Sequence, residues 1–207
     1  MILRVHHVLA LALLLAAPSS ASSQEAGPAP WGLFNVRYDT RTSDFIYAAY
    51  GYGRNFALVG VLDNPRSGYT ELLGGVGRTF SAGDRYSHVM AIAAARASDA
   101  WYAQLYYLPT VHAGRLWVRA TNEWYIPVDR AGTLQFAVSP LSVTVPVARL
   151  VEIGVAMDVA AQRGDKTGGG LGPELRFALP KAVLGVDAQR MVDANSSRAR
   201  VFFSTSF

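Results

Sequence analysis

Cysteine is absent from all 207 residues, which excludes disulfides and thiolate metal sites alike. Charge is scarce. Asp, Glu, Lys and Arg make up 16% of the chain, against about 25% in ordinary globular proteins. The net charge of +4 is spread along the chain, with no basic or acidic block. A nucleic-acid surface needs such a block, so no nucleic-acid partner is expected. No apolar run reaches the ~20 residues that a transmembrane helix requires. Apolar residues do not recur at i, i+3, i+4 and i+7 either, so amphipathic helices are not expected. His, Asp and Glu form no group with metal-ligand spacing, and the expected cofactor and metal complement is none.

What is present begins with an export signal. Arg4, His6 and His7 open a weakly basic start, and Val8 to Ala17 is an apolar run of signal length. Residues 18–23 are small, offering cleavage after Ala21 or Ser23. The expected organisation is residues 1–23 as signal peptide, 24–30 as a flexible Pro/Gly/Ala leader, and 31–207 as one domain.

From Trp31 onward one unit repeats: about ten residues of strand pattern, then a short cluster of Gly, Asp, Asn, Ser or Pro. Strands are expected at 31–39, 44–53, 55–63, 69–80, 86–96, 100–110, 115–126, 132–145, 150–161, 172–179, 181–192 and 198–207. That is twelve, or ten if neighbours merge. In 150–161, Val151, Ile153, Val155, Met157 and Val159 share one face, while Glu152, Gly154, Ala156 and Asp158 share the other. Other segments are ambiguous. Glu71 and Arg78 have opposite parity within one segment, which requires a bulge or a rim position. Between Asn55 and Asp63 both faces are apolar.

The last strand is the most informative. Ala199, Val201, Phe203, Thr205 and Phe207 lie on one face, and Arg198, Arg200, Phe202, Ser204 and Ser206 on the other. A final strand of this form ending in Phe resembles the closing strand of bacterial outer-membrane β-barrels. The resemblance implies that Val201, Phe203, Thr205 and Phe207 belong to a signal read by the barrel insertion machinery. It also implies an all-β, antiparallel, up-and-down transmembrane barrel in the bacterial outer membrane, with membrane lipid as its surroundings. At class level the chain is similar to small monomeric channels, among them the twelve-stranded nucleoside and acidic-oligosaccharide porins. Strand lengths of roughly nine to twelve residues and aromatic residues near strand ends agree with a membrane span. A secreted sandwich or lipocalin-like barrel is the competing soluble reading.

In a transmembrane barrel the polar face turns inward. The expected lumen residues are Arg37, Arg78, Arg96, Arg115, Arg119, Glu123, Glu152, Asp158, Glu174, Arg176, Asp187, Arg198 and Arg200. Two functions compete for them: a narrow passive channel for small polar solutes, or a structural or surface-interaction barrel whose lumen is filled by ion pairs. A third reading, a lipid-modifying barrel enzyme, requires a nucleophile and a base within reach. The His-x-Ser pair of such enzymes is missing. His88 is followed by Val89 and Met90, and Ser87 points to the other face of its strand. His112 is expected in a periplasmic turn. No catalytic residue is assigned. Lys166 to Gly170 reads as a flexible loop, Arg163-Gly164-Asp165 as a chance tripeptide, and Asn195 to Ser197 as an unused glycan acceptor.

Overall fold

Twelve strands form: β1 (Pro30–Asp39), β2 (Asp44–Tyr52), β3 (Asn55–Asn64), β4 (Tyr69–Ala82), β5 (Tyr86–Ala97), β6 (Ala100–Ala113), β7 (Leu116–Pro127), β8 (Gln135–Ala148), β9 (Val151–Gln162), β10 (Gly168–Ala178), β11 (Ala182–Met191) and β12 (Ser197–Ser206). The computed structural model describes residues 29–41, 43–97, 100–165, 167–192 and 196–207. The signal segment, residues 24–28 of the leader, Lys166 and Asn195 lie outside the described residues.

Each strand pairs antiparallel with its sequence neighbours, and β1 closes the sheet on β12 from Leu33↔Ser206 to Asp39↔Arg200. Closure leaves no edge whose amides and carbonyls would face an apolar solvent unpaired. Short turns gather at the end where Pro30 and Phe207 lie, and longer loops at the other. Gly53 and Gly114, at φ 58° and 63°, each begin a two-residue turn and supply the left-handed conformation it needs.

Period-two alternation decides the faces. Leu72, Val76, Ile92, Val155, Leu171 and Val201 stand exposed on the outer wall, with Leu72 58% and Val155 48% accessible. Arg200 and Glu71, each 1% accessible, lie inside. A soluble fold reverses this order. Among the described residues no helix is long and apolar enough to cross a membrane.

The structure departs from the sequence expectation at several strand ends. β6 runs on to Ala113, so His112 belongs to a strand rather than a turn. β10 starts at Gly168, with Gly168, Gly169 and Gly170 paired to Ala160, Val159 and Asp158. Three glycines carry no face-alternating signal, which is why that stretch reads as a loop. The longest connection is therefore 128–134, not 162–171. β8 gains one residue between Val138 and Leu141 relative to both neighbours. Inward residues therefore switch parity at Ser139–Pro140, from Ala137 to Ser142 and Thr144.

β4 holds its register from Asn64↔Tyr69 to Asn55↔Arg78 without a bulge. Glu71 thus points inward and Arg78 outward at the turn-end rim, where its guanidinium lies over Phe80 at 5.6 Å. Arg96 also points outward, over Trp101 at 5.4 Å near the loop end. Neither is a lumen residue. Arg115 falls in the β6–β7 turn and donates to the Pro146 carbonyl at 3.0 Å, so it marks the rim rather than the lumen wall.

Candidate functional site in the barrel lumen

The interior has two unlike walls. From β7 round to β12 and β1 it is built of paired charges. Asp158, on β9, is the centre of one cluster. Its carboxylate accepts from Arg200 Nη1 at 2.8 Å, Ser139 Oγ at 3.3 Å and Gln189 Nε2 at 3.4 Å, and it also pairs with Arg198. Arg200 Nε donates to both oxygens of Asp187, at 3.1 and 2.9 Å. Arg198 reaches Gln189 Oε1 at 2.7 Å and Asp39 at 3.6 Å. These residues come from five strands, and alternation on each strand points them to one axis.

A second cluster lies on β7 to β10. Arg119 grips Glu152 with two hydrogen bonds, at 2.9 and 3.1 Å. Thr144, which donates to Glu152 at 2.7 Å, also accepts from Arg119 at 2.9 Å. Beside them Arg176 pairs with Glu174, and Ser142 bridges the two. Arg119 also lies over Trp117 at 4.9 Å, and His112 stacks on Trp117 at 4.1 Å. The two-pronged guanidinium–carboxylate geometry fixes the wall and satisfies charges that would be costly to bury alone.

The wall from β2 to β6 is mostly apolar. Phe45, Tyr47, Ala49, Leu58, Leu73 and Ala91 face inward there. Ala91, Ala93, Ala95 and Ala97 form a low column on β5. Its small side chains let Glu71 of β4 and Gln104 of β6 meet across the strand between them. Tyr69 donates to Glu71 at 2.7 Å, and Tyr106 donates to Gln104. Glu123 accepts the Tyr125 hydroxyl at 2.9 Å. These contacts fill the loop-end half of this side.

Between the walls lies a cavity of about 810 Å³. Its lining runs from Trp31 and Ser206 at the turn end to Arg37 and Phe45 near the loop end. Arg119, Glu123, Arg176, Asp187 and Arg200 border it directly. Glu152, Asp158, Glu174 and Arg198 stand behind them as buried partners. Val201, Phe203 and Phe207 are on the outer face, and Thr205 Oγ1 donates to the Lys181 carbonyl at 3.0 Å. Phe207 exchanges backbone hydrogen bonds with Gly32, at 2.8 and 3.0 Å.

Both described histidines stand among aromatic rings. His88 is on the outer face, stacked on Phe80 at 4.7 Å with Tyr86 and Tyr107 beside it. His112 is the Trp117 partner at the turn-end mouth. Among the described residues no group of His, Asp and Glu is arranged to hold a metal.

The fold is that of an outer-membrane porin. A KdgM porin solved in complex with disordered oligogalacturonate superposes at TM-score 0.61 and 10% identity, over 86% of this chain and 99% of that one. The COG4313 outer-membrane channel from Pseudomonas putida F1 gives 0.55 at 10% identity, covering 92% of this chain and 100% of its own. The NanC porin gives 0.53 at 11%, over 85% and 98%. No family model matches the sequence, and no curated protein matches it. These likenesses concern backbone architecture; at such identity they carry no residue across.

Sequence reasoning missed Gln104, Ser142 and Thr144 as interior groups and left the face of Glu71 open, whereas alternation put Gln189 on the inward face of Asp187. Neutral polar residues at period two inside apolar strands were the available signal. It also missed the apolar wall. The segment 55–63, greasy on both faces, was showing it: Phe56 and Leu58 face the lumen while Ala57 and Val59 face outward.

Proposed function

We propose that this barrel resides in the bacterial outer membrane as a narrow passive channel for small solutes. The observation that carries the reading is the cavity of about 810 Å³, bordered by residues from near one rim to near the other. A lumen lined by fixed, ion-paired side chains presents a small cross-section and selects by size and charge rather than by a moving part. Exposed Leu, Val, Ile and Phe around the outer wall support contact with lipid acyl chains. Reaction chemistry forms no part of the reading. The barrel insertion machinery is the proposed partner of the Val201–Phe207 face, and a slower cellular assembly of Phe207→Ala would be its signature.

A filled structural barrel is the second reading, favoured by the clusters around Asp158 and Glu71 in the loop-end half. Planar-bilayer recordings separate the two. Stepwise conductance of the purified, folded protein in potassium chloride supports the channel; a folded protein that inserts without steps supports the filled barrel.

A further inference from the structure

The two walls differ in kind. A wall that is aromatic and aliphatic on one side contributes nothing to binding an inorganic ion, whereas it can cover the apolar face of an organic solute. Here Phe45, Tyr47, Leu58, Leu73 and Leu108 present carbon to the cavity. Facing it are groups whose charges are mostly spent on one another: Arg119 on Glu152, Arg176 on Glu174, Arg200 on Asp187 and Asp158.

Arg37 is the exception. It borders the cavity from β1 near the loop end, and among the described residues no carboxylate lies within ion-pair distance of it. Its guanidinium sits over the Phe45 ring at 5.6 Å, and its buried Nε has no hydrogen-bond partner. The nearby lumen carboxylate, Glu123, feels the charge of Arg37 without reaching hydrogen-bond distance, and its own hydrogen bond comes from the Tyr125 hydroxyl at 2.9 Å, so the donors of Arg37 stay open. A guanidinium with open donors beside an aromatic wall is matched by a carboxylate attached to an apolar body.

We propose that the solute recognised in this lumen is a small organic anion with an apolar, preferably aromatic, body. Its carboxylate takes the donors of Arg37, and its ring lies along Phe45, Tyr47 and Leu58. This rests on the channel reading and gives that channel its substrate class.

Two measurements on the folded, detergent-solubilised barrel test it: calorimetric titration with benzoate, acetate, benzylammonium and phenylalanine, and bilayer conductance in the same series. Benzoate is expected to bind about tenfold or more tighter than acetate, since acetate lacks the ring, and than benzylammonium, which has the wrong charge. Arg37→Gln is expected to weaken benzoate about tenfold and to abolish its preference over benzylammonium, with Arg37→Lys recovering part of the affinity. Heat-shifted gel mobility of both variants verifies that they fold. Equal affinity for acetate and benzoate overturns the proposal. So does tighter binding of benzylammonium or of zwitterionic phenylalanine, or an Arg37→Gln barrel that binds benzoate like the original. Arg37-dependent benzoate binding without any conductance supports the recognition site and overturns the channel.

Discussion

Asp158 shows how one residue can hold a wall together. It is 5% accessible and takes hydrogen bonds or charge from Arg198, Arg200, Ser139 and Gln189. Removing one partner of a buried ion pair leaves the other charge desolvated and unmatched, which costs about 3–5 kcal/mol. Asp158→Ala is therefore expected to lower the stability of the folded barrel by about that amount. Asp158→Asn, which keeps the acceptor oxygen, is expected to lose less. Urea unfolding in lipid vesicles measures both, and an unchanged midpoint for the alanine variant would show that Asp187 and Asp39 suffice to hold Arg200 and Arg198 without Asp158. The carboxylates and arginines of this cluster were readable in the sequence as one face of their strands. Their pairing was not, because Arg200 and Asp158 are 42 positions apart and meet only when five strands curl round a common axis.

At the scale of the strand, glycine is where this barrel is tightest. A Cβ on Gly172 would lie 1.8 Å from the Ala188 carbonyl oxygen of the neighbouring strand, whereas one on Gly74 would meet only the Leu58 carbonyl at 4.0 Å. Overpacking of this kind typically costs about 1–3 kcal/mol. Gly172→Ala is expected to reduce folded yield and unfolding midpoint, with Gly74→Ala indistinguishable from the parent. Heat-shifted gel mobility after refolding reports both. The same chemistry hides the start of β10 in the sequence: glycine contacts neighbours through backbone and leaves no pattern of side chains. β8 hid its inward face differently. One inserted residue at Ser139–Pro140 changes the parity, so Ser142 and Thr144 follow a rhythm opposite to that of Gln135 and Ala137.

For the whole molecule, the deciding property is which side of the sheet is apolar. Val155 lies on the outer wall of β9, between Glu152 and Asp158 on the inner one. Val155→Arg places a cation among acyl chains and is expected to destabilise the membrane-embedded barrel by about 2–4 kcal/mol. Unfolding in vesicles against unfolding in detergent checks this. A penalty that is the same in both would count against a lipid-facing outer wall.

Alternation alone determined that the chain is all-β, brought the number of strands to ten or twelve and picked out most of the inward charges, because a pleated strand sends successive side chains to opposite faces whatever surrounds it. It also placed the outer residues Val201, Phe203 and Phe207. Only closure of the sheet decided which charges neutralise each other, that Arg78 and Arg96 stand outside and Arg115 on a rim, and that one lumen wall is apolar. Period two tells that two faces differ. When both are greasy, as in β3, it cannot tell lipid from lumen, and the curvature of the sheet makes that choice.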